Sequence, residues 1–347
     1  MDAALNVLVF GSGAIGTLLG AHLAQAGQRV TFVVRPAAVD LLRAQGLTVQ
    51  HKSYTIHVAQ PTLAADPALA LAQQRFDCVL LAVKSYDTET AALQLQAAGN
   101  SVPQIVCLQN GVGNEALLQT HFGSSNVIAG TVTTAATQNA PGSVIVERIR
   151  GVGLAAGSPL ATRLAAALQT TEMRVQLYAD ARAMKWSKLL TNMLGNATSA
   201  ICDLAPSAVF AHAGLYRAEI EALRETLSVM RKLNTPVVNL PGMRVRLLAT
   251  AIALLPAAWY HAFLARQVGS GRGGKLPSLH NDLSAGRTRS EVGWLNGAVQ
   301  RHARGCGANA PINNQLNMIL TELASGIRDR SEYKHNPDKL AGALGTQ

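Results

Sequence analysis

Apolar residues recur along this chain in two rhythms, and the change falls near residue 178. Before it, short unbroken apolar runs are bounded by glycine or polar residues: "NVLVF" (6–10), "RVTFVVR" (29–35), "FDCVLLAV" (76–83), "QIVCL" (104–108), then "GSVIVERIRGVGLAAG" and "MRVQLY". Such runs predict strands buried on both faces, as in a parallel sheet covered by helices. From Asp180, a residue suited to cap a helix, the spacing turns helical. "ARAMKWSKLLTNMLGNATSAI", "YRAEIEALRETLSVMRKLN" and "SEVGWLNGAVQRHARGCG" each predict one helix, with almost no strand pattern between them. "LLATAIALLPAAW" (247–259) predicts a buried helix: it contains Pro256 and falls short of the roughly 20 residues a membrane span needs.

One helical segment carries an unusual polar stripe. In "KWSKLLTNMLGN" (185–196), at roughly 100° per residue, Lys188, Asn192 and Asn196 fall within about 80° of one another, with Lys185 in the same stripe. Trp186, Leu189, Leu190, Met193, Leu194 and Ala197 gather opposite. On a continuous helix the two carboxamides stand about 6 and 12 Å from Lys188 along one face. That spacing suits a substrate carbonyl flanked by a carboxylate or hydroxyl. Hydride arriving at a ketone carbon builds negative charge on oxygen, which a positioned ammonium can stabilise and then protonate.

The other chemistry lies at the first strand. "NVLVF" stops at "GSGAIG", and "AIGTLLGAHLAQAG" continues with helical period to Gly27. Strand, glycine turn and helix come in the order of a dinucleotide site, with Gly11 for the tight turn, Gly13 for close approach to a pyrophosphate and Gly16 for helix packing. The whole turn, Gly11, Ser12, Gly13, Ala14, Ile15 and Gly16, is the expected phosphate cradle. At the end of the second strand, where an NAD site offers an acid to the ribose diol, this chain offers Arg35, with no carboxylate between Gly11 and Asp40. A guanidinium there suits a 2′-phosphate, so NADP(H) is the expected cofactor. Lys84 and Asn110 end two further strands, where ligands of open parallel sheets bind.

The expected fold is therefore α/β: an N-terminal Rossmann dinucleotide-binding domain over residues 1–178, an all-helical C-terminal domain over 179–340 that carries substrate and catalytic groups, and a mobile tail at 341–347.

Composition narrows the partners. The chain has 347 residues and a formal charge of +10, yet no lysine-rich run, zinc finger or aromatic-basic RNA motif, so anionic small ligands explain the basicity better than nucleic acid. Cys78, Cys107, Cys202 and Cys306 are scattered and the histidines form no ligand cluster, so reduced thiols and no metal site are expected. No signal peptide pattern opens the chain and no run is long enough for a span, which makes cytoplasmic residence the default and a membrane partner unexpected.

Taken together, "GSGAIG", "VVR", "AVKSYDT", "LQNGVGNE", "KLLTNMLGN" and "SEVGWLNGAV" resemble the ketopantoate reductase (2-dehydropantoate 2-reductase) family, in the family's order and over nearly the whole chain. The resemblance implies reduction of a 2-keto acid with NADPH, most simply ketopantoate to pantoate in pantothenate and coenzyme A biosynthesis. It implies Arg35 at the 2′-phosphate, Lys84 at the adenosine end, and Asn110 at the nicotinamide side and the substrate. Lys188 matches the catalytic lysine, in preference to Lys185, while Asn192, Asn196 and Ser278 match substrate contacts. Glu291 matches the remaining acid, placed to accept from a substrate hydroxyl or tune Lys188. A homodimer is suggested by analogy alone. Departures gather on the substrate side: "LSAGRTRS" is one residue longer than the common spacing, Gly293 stands where an aspartate is frequent, and a glycine-rich basic loop with Arg272 and Lys275 precedes Ser278. A different 2-keto acid is therefore one alternative, and a dinucleotide-binding regulator without catalysis is another. The 6-phosphogluconate and hydroxyacid dehydrogenases share the domain pairing but lack the "QNG" and "SEV" motifs.

Overall fold

The structure is a computed structural model that describes residues 3–99, 102–257, 259, 261 and 276–347; Arg272 and Lys275 lie outside them. The chain divides into two compact units, one of Met1–Gln109, Gly113–Lys185 and Leu240–Met243, the other of Asn110–Val112, Trp186–Asn239 and Arg244–Gln347.

The first unit holds the strands β1 (Asn6–Phe10), β2 (Arg29–Val33), β3 (Leu47–His51), β4 (Tyr54–Val58), β5 (Thr62–Ala64), β6 (Cys78–Leu81), β7 (Gln104–Cys107), β8 (Val127–Val132), β9 (Ala135–Ala140), β10 (Ser143–Arg148), β11 (Gly151–Ala155) and β12 (Arg174–Tyr178). Eight of them form a sheet in the order β12-β11-β8-β7-β6-β1-β2-β5. From β8 to β5 every pairing is parallel, and β11 runs antiparallel to β8. The stretch β5-β2-β1-β6-β7-β8 has the doubly wound order in which two halves diverge from the first strand, leaving a crevice between β1 and β6 at their carboxyl ends. The unbroken run "NVLVF" makes sense in this place. Val7 and Val9 face a core shared with the helix Ala14–Gln25, while Leu8 and Phe10 face a second core with Val79 and Leu81. Alternate residues of one strand thus serve opposite faces.

A second sheet, β4-β3-β10-β9, was not expected, because β3 and β4 are short and half polar. It packs over His22 of the Ala14–Gln25 helix, whose buried ring meets Tyr54 edge-on at 5.6 Å. Nδ1 of His22 lies 2.8 Å from the Leu18 carbonyl, which makes it the protonated nitrogen, and Nε2 is buried without a partner. Burial lowers the His22 pKa, against smaller opposing effects of the Leu18 hydrogen bond and Glu172. Below the ordinary value of 6.5 the unfolded chain takes up a proton that the folded chain refuses. Stability present above that pH is therefore lost on acidification, by up to about 1.4 kcal/mol per pH unit. Urea unfolding at about pH 7.5 and about pH 5.5 should reveal this loss in the wild type, and His22→Leu should remove most of the difference.

The second unit is built from helices around Ala213–Lys232, whose buried face carries Leu215, Ile220, Leu223, Val229 and Met230 at helical spacing. The helix expected over 181–201 is two helices, Ala181–Met193 and Ala197–Cys202. Gly195 takes a left-handed φ of 58° and breaks the run. Buried Glu219 fixes the break by accepting the Gly195 N–H at 2.7 Å and the Thr198 hydroxyl at 2.6 Å. Asp180 does cap the first helix, through the Ala183 N–H at 2.8 Å. The helix expected from Ser290 is likewise divided, into a 3-10 turn Glu291–Trp294 and a helix Asn296–Cys306 that ends at left-handed Gly307.

Two further expectations need correction. The segment expected as a buried helix is Val245–Leu254, and only one of its faces is buried: Leu254 is 75% exposed. The tail expected to be mobile is helical to Ala343, with Leu344 buried and the Thr346 N–H bonded to the Ala341 carbonyl. Among the described residues no helix is long and apolar enough to cross a membrane.

Candidate active site

At the carboxyl end of β1 the backbone is held too tightly for any side chain. Gly11 has φ 108°, and a Cβ there would lie 2.8 Å from the Ala82 carbonyl carbon and the Val83 nitrogen beyond β6. A Cβ on Gly16 would meet the Gly11 carbonyl oxygen at 1.9 Å, so the helix can pack on the turn only with glycine in this position. Gly13, by contrast, faces open space. The Ser12 carbonyl accepts from Thr17 Oγ1 at 3.2 Å and Gln138 Nε2 at 3.0 Å, which fixes the loop from behind. No side chain caps the helix that starts at Ala14 and Ile15, and no acid stands in its first turn. Its amide groups and dipole are arranged to receive an anion.

Arg35 is exposed just beyond β2, and Asp40, the next acid, is paired with Arg43 at 2.9 Å. Lys84 follows β6 and is partly exposed. A buried polar network lies behind it. Thr88 Oγ1 is 2.7 Å from the Ser85 carbonyl and 2.9 Å from Asn114 Oδ1, and it accepts from Gln109 Nε2 at 2.8 Å. Gln109 Nε2 also reaches the Lys84 carbonyl at 3.3 Å, which ties the end of β6 to the end of β7. The residues that make "KSYDT" and "LQNGVGNE" recognisable thus act largely from inside, and local pattern reading missed Ser85, Thr88, Gln109 and Asn114. Their signal was polar residues closing otherwise apolar strands.

Every residue from Ala183 to Ala200 is buried except Lys188 and Asn192. These two are one helical turn apart, so they form a single polar opening on an otherwise packed helix. Asn192 Nδ2 donates to Asn110 Oδ1 at 3.0 Å. The turn after β7 is set by Gly111, at φ 81°, where a Cβ would lie 2.3 Å from the Trp294 carbonyl oxygen. That same oxygen accepts the Val112 N–H at 3.1 Å. Asn110, Asn192 and the turn that begins with Glu291 are thereby brought together. Glu291 is only 4% exposed, so it is no surface glutamate.

Asn196 is placed differently from the expected stripe, because the chain breaks at Gly195. It stands at the start of the next helix, buried, with Nδ2 donating to the Asn192 carbonyl at 2.9 Å and Oδ1 accepting the Leu279 N–H at 3.2 Å. One end of this carboxamide thus holds the end of the preceding helix and the other holds the helix Ser278–Ser284, at whose first residue Ser278 is exposed. Lys185 is also separated from the stripe. It is buried, with Nζ 2.8 Å from Glu115 Oε1, 2.6 Å from the Gln109 carbonyl and 3.2 Å from the Gly130 carbonyl. Burial works against its charge, but the Glu115 carboxylate, with Cys107 adding to it, prevails and raises its pKa. An ammonium held this firmly is a poor proton donor.

A sequence model described as ketopantoate reductase PanE/ApbA matches residues 7–158, and the model of that family's C-terminal region matches residues 180–324. The chain belongs to the ketopantoate reductase family. It is 30% identical to the 2-dehydropantoate 2-reductase of Halobacterium salinarum, over 90% of this chain and 96% of that one. It is 27% identical to the enzyme of the same name from Archaeoglobus fulgidus, over 93% and 99%. A PanE/ApbA family ketopantoate reductase from Ralstonia eutropha has the same fold, with a TM-score of 0.78 and 26% identity over 93% of this chain and 99% of that one. The fold also extends to D-mandelate dehydrogenase, solved with NADH and anilino(oxo)acetate, at a TM-score of 0.75 and 18% identity.

Ketopantoate reductases are NADPH-using oxidoreductases that act on a ketone or CH–OH group. In this ketopantoate reductase family member the cradle fits such a cofactor on its own evidence: the turn between Gly11 and Gly16 leaves no room for a Cβ at either glycine, while Gly13 faces open space.

Proposed function

We propose that this protein reduces 2-dehydropantoate to pantoate with NADPH, and that Lys188 is the general acid. The observation that carries the reading is the opening formed by Lys188 and Asn192 in a stretch whose other residues from Ala183 to Ala200 are buried. The turn Gly11–Gly16 holds the pyrophosphate by backbone N–H groups, Arg35 pairs with the 2′-phosphate, and Lys84 supports the adenosine end. When bound, NADPH supplies a hydride to the ketone carbon. Lys188 stabilises the negative charge that develops on the ketone oxygen and donates the proton that completes the alcohol. Asn110 and Asn192 orient the substrate's polar groups beside the carbonyl, each holding the other's carboxamide in place. Glu291 accepts from a substrate hydroxyl or from Lys188. Asn196 acts one step back, by holding the segment that begins at Ser278.

Steady-state NADPH consumption with a panel of 2-keto acids tests this reading, with NADH as a control. Ketopantoate is expected to give the highest kcat/KM on the panel. Preference for another member would reassign the substrate, and NADPH binding with no turnover of any of them would favour the regulator.

A further inference from the structure

Lys185 and Asn192 stand seven residues apart on the helix Ala181–Met193, about two turns or roughly 10 Å. They bind consecutive residues of the turn after β7: Lys185 Nζ holds the Gln109 carbonyl at 2.6 Å, and Asn192 Nδ2 holds Asn110 Oδ1 at 3.0 Å. Lys188 lies between these two tethers. The carbonyl of Gln109 belongs to the same rigid peptide plane as the N–H of Asn110, so the ammonium that binds it fixes how Asn110 leaves the strand. Glu115, in the first turn of the helix Asn114–Phe122, holds Lys185 from the other side at 2.8 Å. Lys185 has no role in the chemistry described above, yet a buried charge is costly to keep unless something needs it.

We infer that Lys185 is a positioning residue: with Glu115 as its counter-ion it pins the Gln109–Asn110 peptide and so sets the register between Asn110 and Lys188. The inference rests on the proposed roles of Asn110 and Lys188, but its first consequence is independent of any ligand. In the protein without ligand, Lys185→Met should speed amide hydrogen exchange at Asn110–Gly113 by about tenfold, while the strands of the sheet stay protected. With NADPH and ketopantoate, kcat should fall by about tenfold, short of the roughly 10²-fold that a 1 Å misplacement can cost. The affinity for adenosine 2′,5′-bisphosphate, a probe that lacks the nicotinamide, should not change.

Lys185→Met also leaves the partly buried Glu115 carboxylate without its partner, which by itself lowers stability. The double variant Lys185→Met/Glu115→Gln separates the two effects. It should regain thermal stability and should not regain kcat or slow exchange at Asn110–Gly113, because the Gln109 carbonyl is still untethered. Recovery of both in the double variant would overturn the inference, as would a uniform rise in exchange across the sheet. Failure of wild-type protein to reduce ketopantoate would count against the proposed function and would leave the exchange result to decide the role of Lys185.

Discussion

Lys188→Ala is expected to lower kcat for 2-keto acid reduction by about 10²- to 10⁴-fold, the usual contribution of a positioned general acid, while NADPH affinity stays within about twofold. The split follows from where the residue sits. Lys188 belongs to the helical unit and is one of the two residues between Ala183 and Met193 that are partly exposed, so its removal opens no cavity in the apolar core. Lys188→Arg sharpens the test. A guanidinium keeps the positive charge but does not give up its proton in the accessible pH range. If charge stabilisation alone mattered, arginine would restore most of the rate; with proton donation required, arginine is expected to remain far below lysine. Measuring kcat and NADPH affinity side by side on the three proteins decides between them.

The second large effect concerns cofactor choice. Arg35→Ala should weaken NADPH by about 10- to 100-fold, as the loss of about 1.5 to 3 kcal/mol of charge-assisted hydrogen bonding implies, and should leave NADH nearly unchanged. Arg35 is exposed beyond β2, and Asp40 is paired on its own helix with Arg43. Nothing acidic in that sequence stretch is therefore placed to replace the guanidinium for a ribose diol. Because the pairing is solvent-exposed, the NADPH preference should also shrink as salt is raised. Titration of both cofactors by fluorescence, at low and high salt, checks all three statements. Equal losses for NADPH and NADH would move Arg35 away from the 2′-phosphate.

What the sequence made legible was local. The runs from "NVLVF" to "QIVCL" become β1, β2, β6 and β7 because a strand buried on both faces must be apolar throughout. Gly11 and Gly16 of "GSGAIG" stand where backbone crowding forbids a side chain, a constraint set within a few residues and by one neighbouring strand end. The helical stripe was also legible as far as Lys188 and Asn192. It failed at Asn196, because one glycine in a left-handed conformation and a carboxylate from the distant helix Ala213–Lys232 end the helix between them. Periodicity carries no information about Glu219.

The choice between Lys185 and Lys188 has the same character. On a helical wheel the two lysines share one stripe, yet one is 5% exposed while the other is partly exposed. What separates them is Glu115 and two carbonyls, Gln109 and Gly130, all far away in sequence. The burial of Glu291 is not legible in its motif, since it depends on packing that no local pattern encodes.

The proposed reaction is transfer of a hydride from NADPH to the carbonyl carbon of ketopantoate. Incubating the protein with ketopantoate and NADPH deuterated at both C4 positions, then weighing the product by mass spectrometry, tests it directly. Pantoate with a single deuterium on the carbon that bore the ketone is expected, formed one for one with oxidised cofactor, and formed far more slowly by Lys188→Ala. Unlabelled pantoate, or bound NADPH left unoxidised beside intact ketopantoate, would contradict it.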